Sequence, residues 1–298
     1  MKLPVFTGSG VALVTPFFGE TVDLSALGKL LDWQIESGTD AIIVCGTTGE
    51  ASTMSYRERM RVIEFSVDRV NGRVPVIAGT GSNSTENAIA LSRDAQFAGA
   101  NALLVVTPYY NKATQEGLTR HYRLIADSVA KPVILYNVPS RTGVNIAPQT
   151  YAALAEHPNI NGVKEANGDL NRLQITRNLC PQDFHIWSGN DDETALICLL
   201  GGVGVISVAA NLIPDRMHAL VQSCLNGDFT SAGKQQLALK SLMDALFCEV
   251  NPIPVKTALN LMGRPVGGLR LPLCEISESN KERLRQTLQS YHLLAESP

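Results

Sequence analysis

The stretch ALLVVTPYYNKATQEGLTRHYRLIADSVAKPVILYN, residues 102–137, contains one complete unit of the pattern that decides the fold. Its apolar runs at 102–108 and 132–137 are too short for helices and too continuous for half-exposed strands, so they predict buried parallel strands. Between them, apolar residues at helical spacing over 115–129 predict an amphipathic helix. A strand, a helix and a second strand form the unit in which a helix covers a parallel sheet.

The same unit recurs along most of the chain. Six further apolar runs predict strands at 10–16, 41–46, 74–79, 160–166, 184–189 and 203–208. Amphipathic helices are predicted between them, with Asp23 capping the first and Ser55 with Glu58 forming a capping box at the second. About eight alternations predict an α/β fold, a (β/α)8 TIM barrel. A doubly wound sheet is the alternative, but it normally has fewer strands and a glycine fingerprint after the first.

The strand pattern stops near residue 229. Helices are predicted at about 229–249, 254–262 and 279–294, with a loop rich in glycine and proline at 263–272. We therefore predict a catalytic barrel over residues 1–227 and a small C-terminal helical domain over residues 228–298.

The composition narrows the class of protein. The 298 residues are 45% hydrophobic and 18% charged, with a net charge of −3, which is typical of a globular protein and gives no sign of nucleic acid or an anionic membrane as partner. The six cysteines form no C-x-x-C pair, which favours reduced thiols, and no apolar stretch reaches membrane-spanning length. We expect a soluble, cytoplasmic protein.

Candidate site residues close the predicted strands, because the active site of a barrel lies at the C-terminal ends of its strands. Lys164 ends the sixth run, where burial would lower the pKa of its amine and make it a Schiff-base nucleophile. Tyr136 ends the fifth run and could transfer protons. Thr47 and Thr48, between two glycines, offer hydroxyl and N–H groups to a carboxylate, and Arg141 could bind a second one.

Each residue also has a simpler interpretation. Lys164 could extend its amine to solvent, Tyr136 could serve packing alone, and Arg141 could be a solvated loop charge. Three other kinds of protein stay open on these residues: a metal-dependent hydrolase, a non-catalytic binding protein, and a sister aldolase that cleaves a sugar acid. The metal site is disfavoured because the five histidines are scattered, although Asp191, Asp192 and Glu193 could bind a cation.

A family resemblance rests on five motifs, which are GTTGE at 46–50, TPYYN at 107–111, YNVPSRTG at 136–143, VKEA at 163–166 and NPIPVK at 251–256. With them the chain resembles the dihydrodipicolinate synthases, also called 4-hydroxy-tetrahydrodipicolinate synthases, over essentially its whole length. That family belongs to the pyruvate-dependent class I aldolases, which also include N-acetylneuraminate lyase. The segments around Arg141 and Asn251 are more typical of the synthases than of the lyases.

The resemblance implies a reaction and a role for each residue. Lys164 would form an imine with pyruvate, and Tyr136, Thr47 and Tyr110 would relay protons, with Tyr110 coming from a neighbouring subunit. Thr47 and Thr48 would hold the pyruvate carboxylate, and Arg141 that of L-aspartate-4-semialdehyde. The remaining pocket positions are Gly189, Ile206 and Asn251. The resemblance also implies lysine biosynthesis through diaminopimelate, a homotetramer built as a dimer of dimers, and no metal or organic cofactor.

The chain departs from the lysine-inhibited members of that family at three positions. Asn87 stands where they have a glutamate, and Tyr56 and Arg59 stand where they have histidines, whereas Asn83 and Tyr109 are kept. The loss of the carboxylate and the gain of a guanidinium both disfavour a dicationic effector. We therefore expect weak inhibition by lysine.

Overall fold

The computed structural model describes residues 1–294 and contains a closed barrel of eight parallel strands. Each strand pairs with the next along the chain, and the first pairs with the last through Gly8 and Gly204. The strands are β1 Gly8–Ala12, β2 Ala41–Val44, β3 Val76–Gly79, β4 Ala102–Val106, β5 Val133–Asn137, β6 Ile160–Glu165, β7 His185–Ser188 and β8 Gly204–Ser207. The predicted (β/α)8 barrel is confirmed.

Twelve α-helices are present within the described residues. They are α1 Leu24–Glu36, α2 Tyr56–Val70, α3 Thr85–Phe97, α4 Gln115–Asp127, α5 Pro139–Thr142, α6 Pro148–Ala155, α7 Leu170–Leu179, α8 Thr194–Leu199, α9 Pro214–Leu225, α10 Phe229–Ala245, α11 Ile253–Leu261 and α12 Glu278–Ser290. Both predicted caps form, since Asp23 accepts from the Ala26 amide and Ser55 and Glu58 complete a capping box. Within residues 1–294, no helix has both the length and the apolar character needed to cross a membrane.

The boundaries differ from the predictions by a few residues. β1 begins two residues earlier and ends at Ala12, four residues before the predicted end. The Leu13 amide makes the last bond to β2, at the Ile43 carbonyl, and the Val14 amide donates to the Asn211 side chain instead. The helix predicted between the seventh and eighth strands is divided into a 3₁₀ turn, Asp191–Glu193, and α8. Several short elements were not predicted: the hairpin of Phe17–Phe18 with Thr21–Val22, the single turn α5, and the 3₁₀ turns Ala51–Thr53 and Ala209–Asn211.

Buried apolar side chains form two layers. One lies between the strands and the surrounding helices, and a smaller one fills the barrel interior, where Phe6 stacks on Trp187 with ring centroids 5.3 Å apart. Along β5 the side chains alternate, so that Ile134 and Tyr136 face inward while Val133 and Leu135 face the helices. This alternation decides which residues at a strand end reach the site.

The C-terminal helices pack directly on the barrel helices. α10 lies against α8 and α9, and α12 lies against α10 and α11. Because one continuous apolar layer includes residues of both parts, the division into 1–227 and 228–298 stays a prediction. The last four residues of the second part lie outside the described ones.

Candidate active site

A cavity of about 570 Å³ opens at the C-terminal ends of the strands. Seven of the nine predicted site residues line it: Thr47, Thr48, Tyr136, Arg141, Lys164, Gly189 and Asn251. These residues come from four different strand ends and from the connection between α10 and α11. The barrel therefore brings together groups that are more than 200 residues apart in the sequence.

Lys164 lies at the bottom of this cavity. It is the fifth residue of β6 and is 5% exposed, and its ammonium nitrogen lies 4.4 Å from the centre of the Tyr136 ring. Burial lowers the pKa of Lys164 to about 8; Arg141 acts in the same direction and Asp191 opposes it. At pH 7 a pKa of 8 leaves about a tenth of the amines neutral, against about three in ten thousand for an unshifted lysine.

Tyr136 lies beside Lys164 because the two are register partners on adjacent strands. It is buried but lines the cavity, and burial raises the pKa of its phenol, while Arg141 and the Thr47 hydroxyl act in the opposite direction. A phenol that keeps its proton next to a partly neutral amine can donate to an oxygen atom bound between them. The arrangement is suited to acid–base chemistry at a carbonyl carbon.

The opposite wall of the cavity is the turn at 46–50. The Thr48 hydroxyl accepts a hydrogen bond from the Asn251 side chain at 3.0 Å, and the Glu50 amide donates to the Thr47 carbonyl at 3.0 Å. The Asn251 carbonyl accepts from the Arg141 guanidinium at 3.4 Å. Arg141, on α5, is exposed at the cavity rim, so a substrate carboxylate would meet it at the entrance.

Two predicted residues do not line this cavity. Tyr110 is 91% exposed on the loop after β4, with a left-handed backbone, and its side chain makes no wall of the site within one chain. Ile206 is fully buried in the apolar interior of the barrel. Their assigned roles stay predictions, and that of Tyr110 depends on a second copy of the chain.

Other lining residues were not predicted. Asn190 follows Gly189, and Phe247, Glu249 and Val250 precede Asn251 on the connection that passes over the barrel mouth. Their position so close to two predicted residues was a signal that could have found them.

The acidic residues considered as a cation site are Asp191, Asp192 and Glu193. Asp191 is buried, and its carboxylate accepts hydrogen bonds from the amides of Val208 and Ala209. Among residues 1–294, no three His, Cys, Asp or Glu side chains form a group that could hold a metal ion.

A smaller cavity of about 330 Å³ lies beyond the turn, between α2 and α3. It is lined by Tyr56, Arg59, Asn87 and Tyr109, four of the five positions compared above with lysine-inhibited relatives, while Asn83 is not part of the wall. The Arg59 guanidinium donates to the Ala51 carbonyl. The expectation of weak inhibition by lysine stays a prediction.

Comparison with known proteins agrees with this geometry. The profile of the dihydrodipicolinate synthetase family matches residues 5–291. A curated 4-hydroxy-tetrahydrodipicolinate synthase of Thermoanaerobacter pseudethanolicus is 55% identical over 296 residues, covering 99% of this chain and 100% of that protein. This relative is named as a synthase and not as a sister aldolase that cleaves a sugar acid.

Solved structures agree as well. A crystal structure of dihydrodipicolinate synthase is 50% identical and has a TM-score of 0.95, with 97% of this chain and 100% of that chain covered. A second structure, described as a monomeric dihydrodipicolinate synthase variant, is 46% identical, also with a TM-score of 0.95, over 97% of this chain and 98% of that one. This protein belongs to the dihydrodipicolinate synthetase family.

Proposed function

We propose that the protein is a 4-hydroxy-tetrahydrodipicolinate synthase, a lyase-class enzyme that condenses pyruvate with L-aspartate-4-semialdehyde in lysine biosynthesis. The observation that carries the proposal is the buried Lys164 amine, with its pKa lowered to about 8, beside the Tyr136 ring in a cavity that Thr47, Thr48 and Arg141 also line. Family membership supports the choice of substrates.

The first half of the reaction takes place at Lys164. Its neutral amine attacks the keto carbon of pyruvate, and loss of water leaves an imine between the lysine nitrogen and that carbon. Tyr136 donates the proton that the departing oxygen needs, and Thr47 faces the phenol and continues the relay. The positively charged imine then withdraws electrons from the adjacent methyl group, which gives a proton to the phenolate left at Tyr136 and so becomes an enamine.

The second half joins the two substrates. The enamine carbon attacks the aldehyde carbon of the semialdehyde, whose own carboxylate pairs with Arg141 at the rim. The amino group of the semialdehyde then displaces Lys164 as the ring closes, and the free amine is restored. The pyruvate carboxylate is held by the turn that contains Thr47 and Thr48. The lysine imine itself serves as the electron sink, so the proposed mechanism uses no metal or organic cofactor.

The quaternary state and location are part of the same proposal. A homotetramer, arranged as a dimer of dimers in the cytoplasm, would bring Tyr110 of one chain to the relay of another. The high exposure of Tyr110 in the single chain supports this arrangement.

Reduction with borohydride in the presence of pyruvate tests the central step. We expect one pyruvyl adduct per chain on the peptide that contains Lys164, because reduction makes the imine permanent. Lys256, the other buried lysine of the site region, is an internal control that should stay unlabelled. A Lys164→Arg variant should give no adduct. Labelling at another lysine, or none in a preparation that makes product, would refute the mechanism.

A further inference from the structure

The two strands that carry Lys164 and Tyr136 are joined on their outer side by a buried polar network. In the register of β5 and β6, Tyr136 pairs with Lys164, and the next pair is Asn137 with Glu165. Because successive residues of a strand point to opposite faces, Asn137 and Glu165 lie behind the two site residues, between the barrel and its helices. Both are buried.

The hydrogen bonds of this network meet at the Glu165 carboxylate. One of its oxygens accepts from the Asn137 side-chain amide at 2.9 Å and from the Asn167 backbone amide at 3.1 Å. The other accepts from the Tyr151 hydroxyl, on α6, at 2.7 Å. Glu165 therefore joins the ends of both strands to a barrel helix.

The network also reaches the loop that carries Arg141. The Asn137 side-chain oxygen accepts from the Ile146 amide at 3.1 Å, and its amide group also donates to the Asn145 side chain at 2.8 Å. Asn137, which follows Tyr136, therefore holds the C-terminal end of segment 138–146. Three predicted site residues, on two strands and one loop, depend on a single group of buried hydrogen bonds.

We infer that Glu165 is a positioning residue for the reaction, which holds Lys164, Tyr136 and the Arg141 loop in their relative places through Asn137. This inference rests on the proposed function, because it assigns to the network the task of aligning the imine-forming pair. Glu165 itself lies on the opposite face of β6 from the cavity and touches no substrate.

We expect Glu165 to hold these residues in place through its hydrogen bonds and not through its negative charge. Every donor to the carboxylate is neutral, and burial raises the pKa of Glu165 to about 7, so the protonated form is well populated at neutral pH. A glutamine at this position could keep the bond from Asn137 through its oxygen and donate its amide group to the Tyr151 hydroxyl. The conservative replacement should therefore preserve the alignment.

Four variants separate alignment from stability. Glu165→Leu removes the centre of the network, Glu165→Gln keeps it without a charge, Glu165→Asp withdraws the carboxylate by one methylene, and Tyr151→Phe removes only the bond to α6. We expect Glu165→Leu to slow imine trapping by pyruvate and borohydride at least about 10-fold, because small displacements of reacting groups are costly. Glu165→Gln and Tyr151→Phe should stay within about twofold of the wild-type rate.

The outcomes decide the inference even if a variant is unstable. Far-UV circular dichroism establishes folding, and Glu165→Asp replaces Glu165→Leu if the latter does not fold, with the same slow trapping expected. A folded Glu165→Leu or Glu165→Asp that traps pyruvate at the wild-type rate would overturn the proposal. So would Glu165→Gln or Tyr151→Phe as impaired as Glu165→Leu, since the cause would then be the charge or general destabilisation.

A second readout does not depend on activity. Hydrogen exchange at the Ile146 amide should become faster in Glu165→Leu, or in Glu165→Asp if that variant replaces it, and stay unchanged in Tyr151→Phe. If the wild-type protein forms no pyruvate imine, the proposed function fails, yet this exchange comparison still tests the connection between Glu165 and the loop. Equal exchange in all proteins would overturn the connection itself.

Discussion

Two buried carboxylates, Glu165 and Glu50, support opposite walls of the cavity by different means. Behind the Lys164 wall, Glu165 accepts only from neutral donors. Behind the Thr47 and Thr48 wall, Glu50 pairs with the Lys256 ammonium at 2.7 Å, and the side chains of this pair are 0% and 2% exposed. Hydrogen bonds from neutral donors therefore support the Lys164 wall, and a buried ion pair supports the wall of Thr47 and Thr48.

The Glu50 pair also connects distant segments. The Lys256 ammonium donates in addition to the Thr15 carbonyl at 3.1 Å and to the Gly268 carbonyl, and it lies 4.4 Å from the centre of the Phe17 ring. The second Glu50 oxygen accepts from the Arg270 amide at 3.1 Å. We therefore expect a carboxylate with neutral donors to tolerate loss of its charge, whereas a fully buried ion pair should tolerate loss of neither partner alone.

The largest effect should follow from breaking the ion pair. Lys256→Met leaves the Glu50 charge buried without its cation, which typically lowers the free energy of unfolding by about 3–5 kcal/mol. Guanidinium denaturation followed by circular dichroism measures it. Lys240→Met is the matched control, because Lys240 pairs with Asp244 at the surface, and it should change stability little. The double variant Lys256→Met with Glu50→Gln should recover part of the loss, and no recovery would contradict the pairing argument.

The contribution of Glu165, the carboxylate without a cation, to the free energy of unfolding should depend on pH. The pKa of Glu165 is raised from 4.5 to about 7 in the folded chain, so its contribution to stability is complete below pH 4.5 and is lost as the pH rises through 7. The unfolding free energy of the wild type, relative to that of Glu165→Gln, should therefore fall by about 3 kcal/mol between pH 4 and pH 8. Denaturant titrations at several pH values measure this difference. Parallel pH profiles for the two proteins would show that Glu165 is not perturbed.

Arg141 connects the two walls, and its removal should have the smallest of the three effects. Arg141 lies on α5, which follows β5 in the chain, and its guanidinium donates to the Asn251 carbonyl on the side of the Thr48 turn. Loss of hydrogen bonds to a charged carboxylate costs about 1.5–3 kcal/mol, so Arg141→Ala should lower kcat/KM for the semialdehyde about 10- to 150-fold. Imine trapping with pyruvate alone should stay near normal. Loss of both would indicate that Arg141 supports the whole site and does not select the second substrate.

The sequence predicted the fold and most of the site because both follow from local patterns. Alternating apolar runs fixed the strand order, and the rule that barrel sites lie at strand ends singled out Lys164, Tyr136 and Thr47. Glu165 was not singled out, since its importance depends on contacts with Asn137 and Tyr151, which are 28 and 14 residues away. Ile206 illustrates the opposite case, in which a residue close to a strand end is enclosed by the barrel interior.

Residues after the barrel were the least predictable part of the site. Apart from their nearness to Asn251, Phe247 and Glu249 have no local pattern that places the connection between α10 and α11 over the barrel mouth. The role proposed for Tyr110 depends on a second chain, which no single-chain pattern can place. Local patterns therefore predict a side chain whose position follows from its own strand, whereas Asn251, which reaches the site through packing between distant segments, was named only through the family resemblance.

The bond between Asn251 and Thr48 has a consequence for how the protein is made. Its partners are 203 residues apart, and those of the Lys256–Glu50 pair are 206 apart. All eight strands end by Ser207, so a chain emerging from the ribosome has every barrel strand before it has Asn251 or Lys256. Until then the Thr48 turn lacks its buried partners. The site can be completed only after residues 251–256 have been synthesised, and enzymatic competence is acquired later than the barrel that supports it.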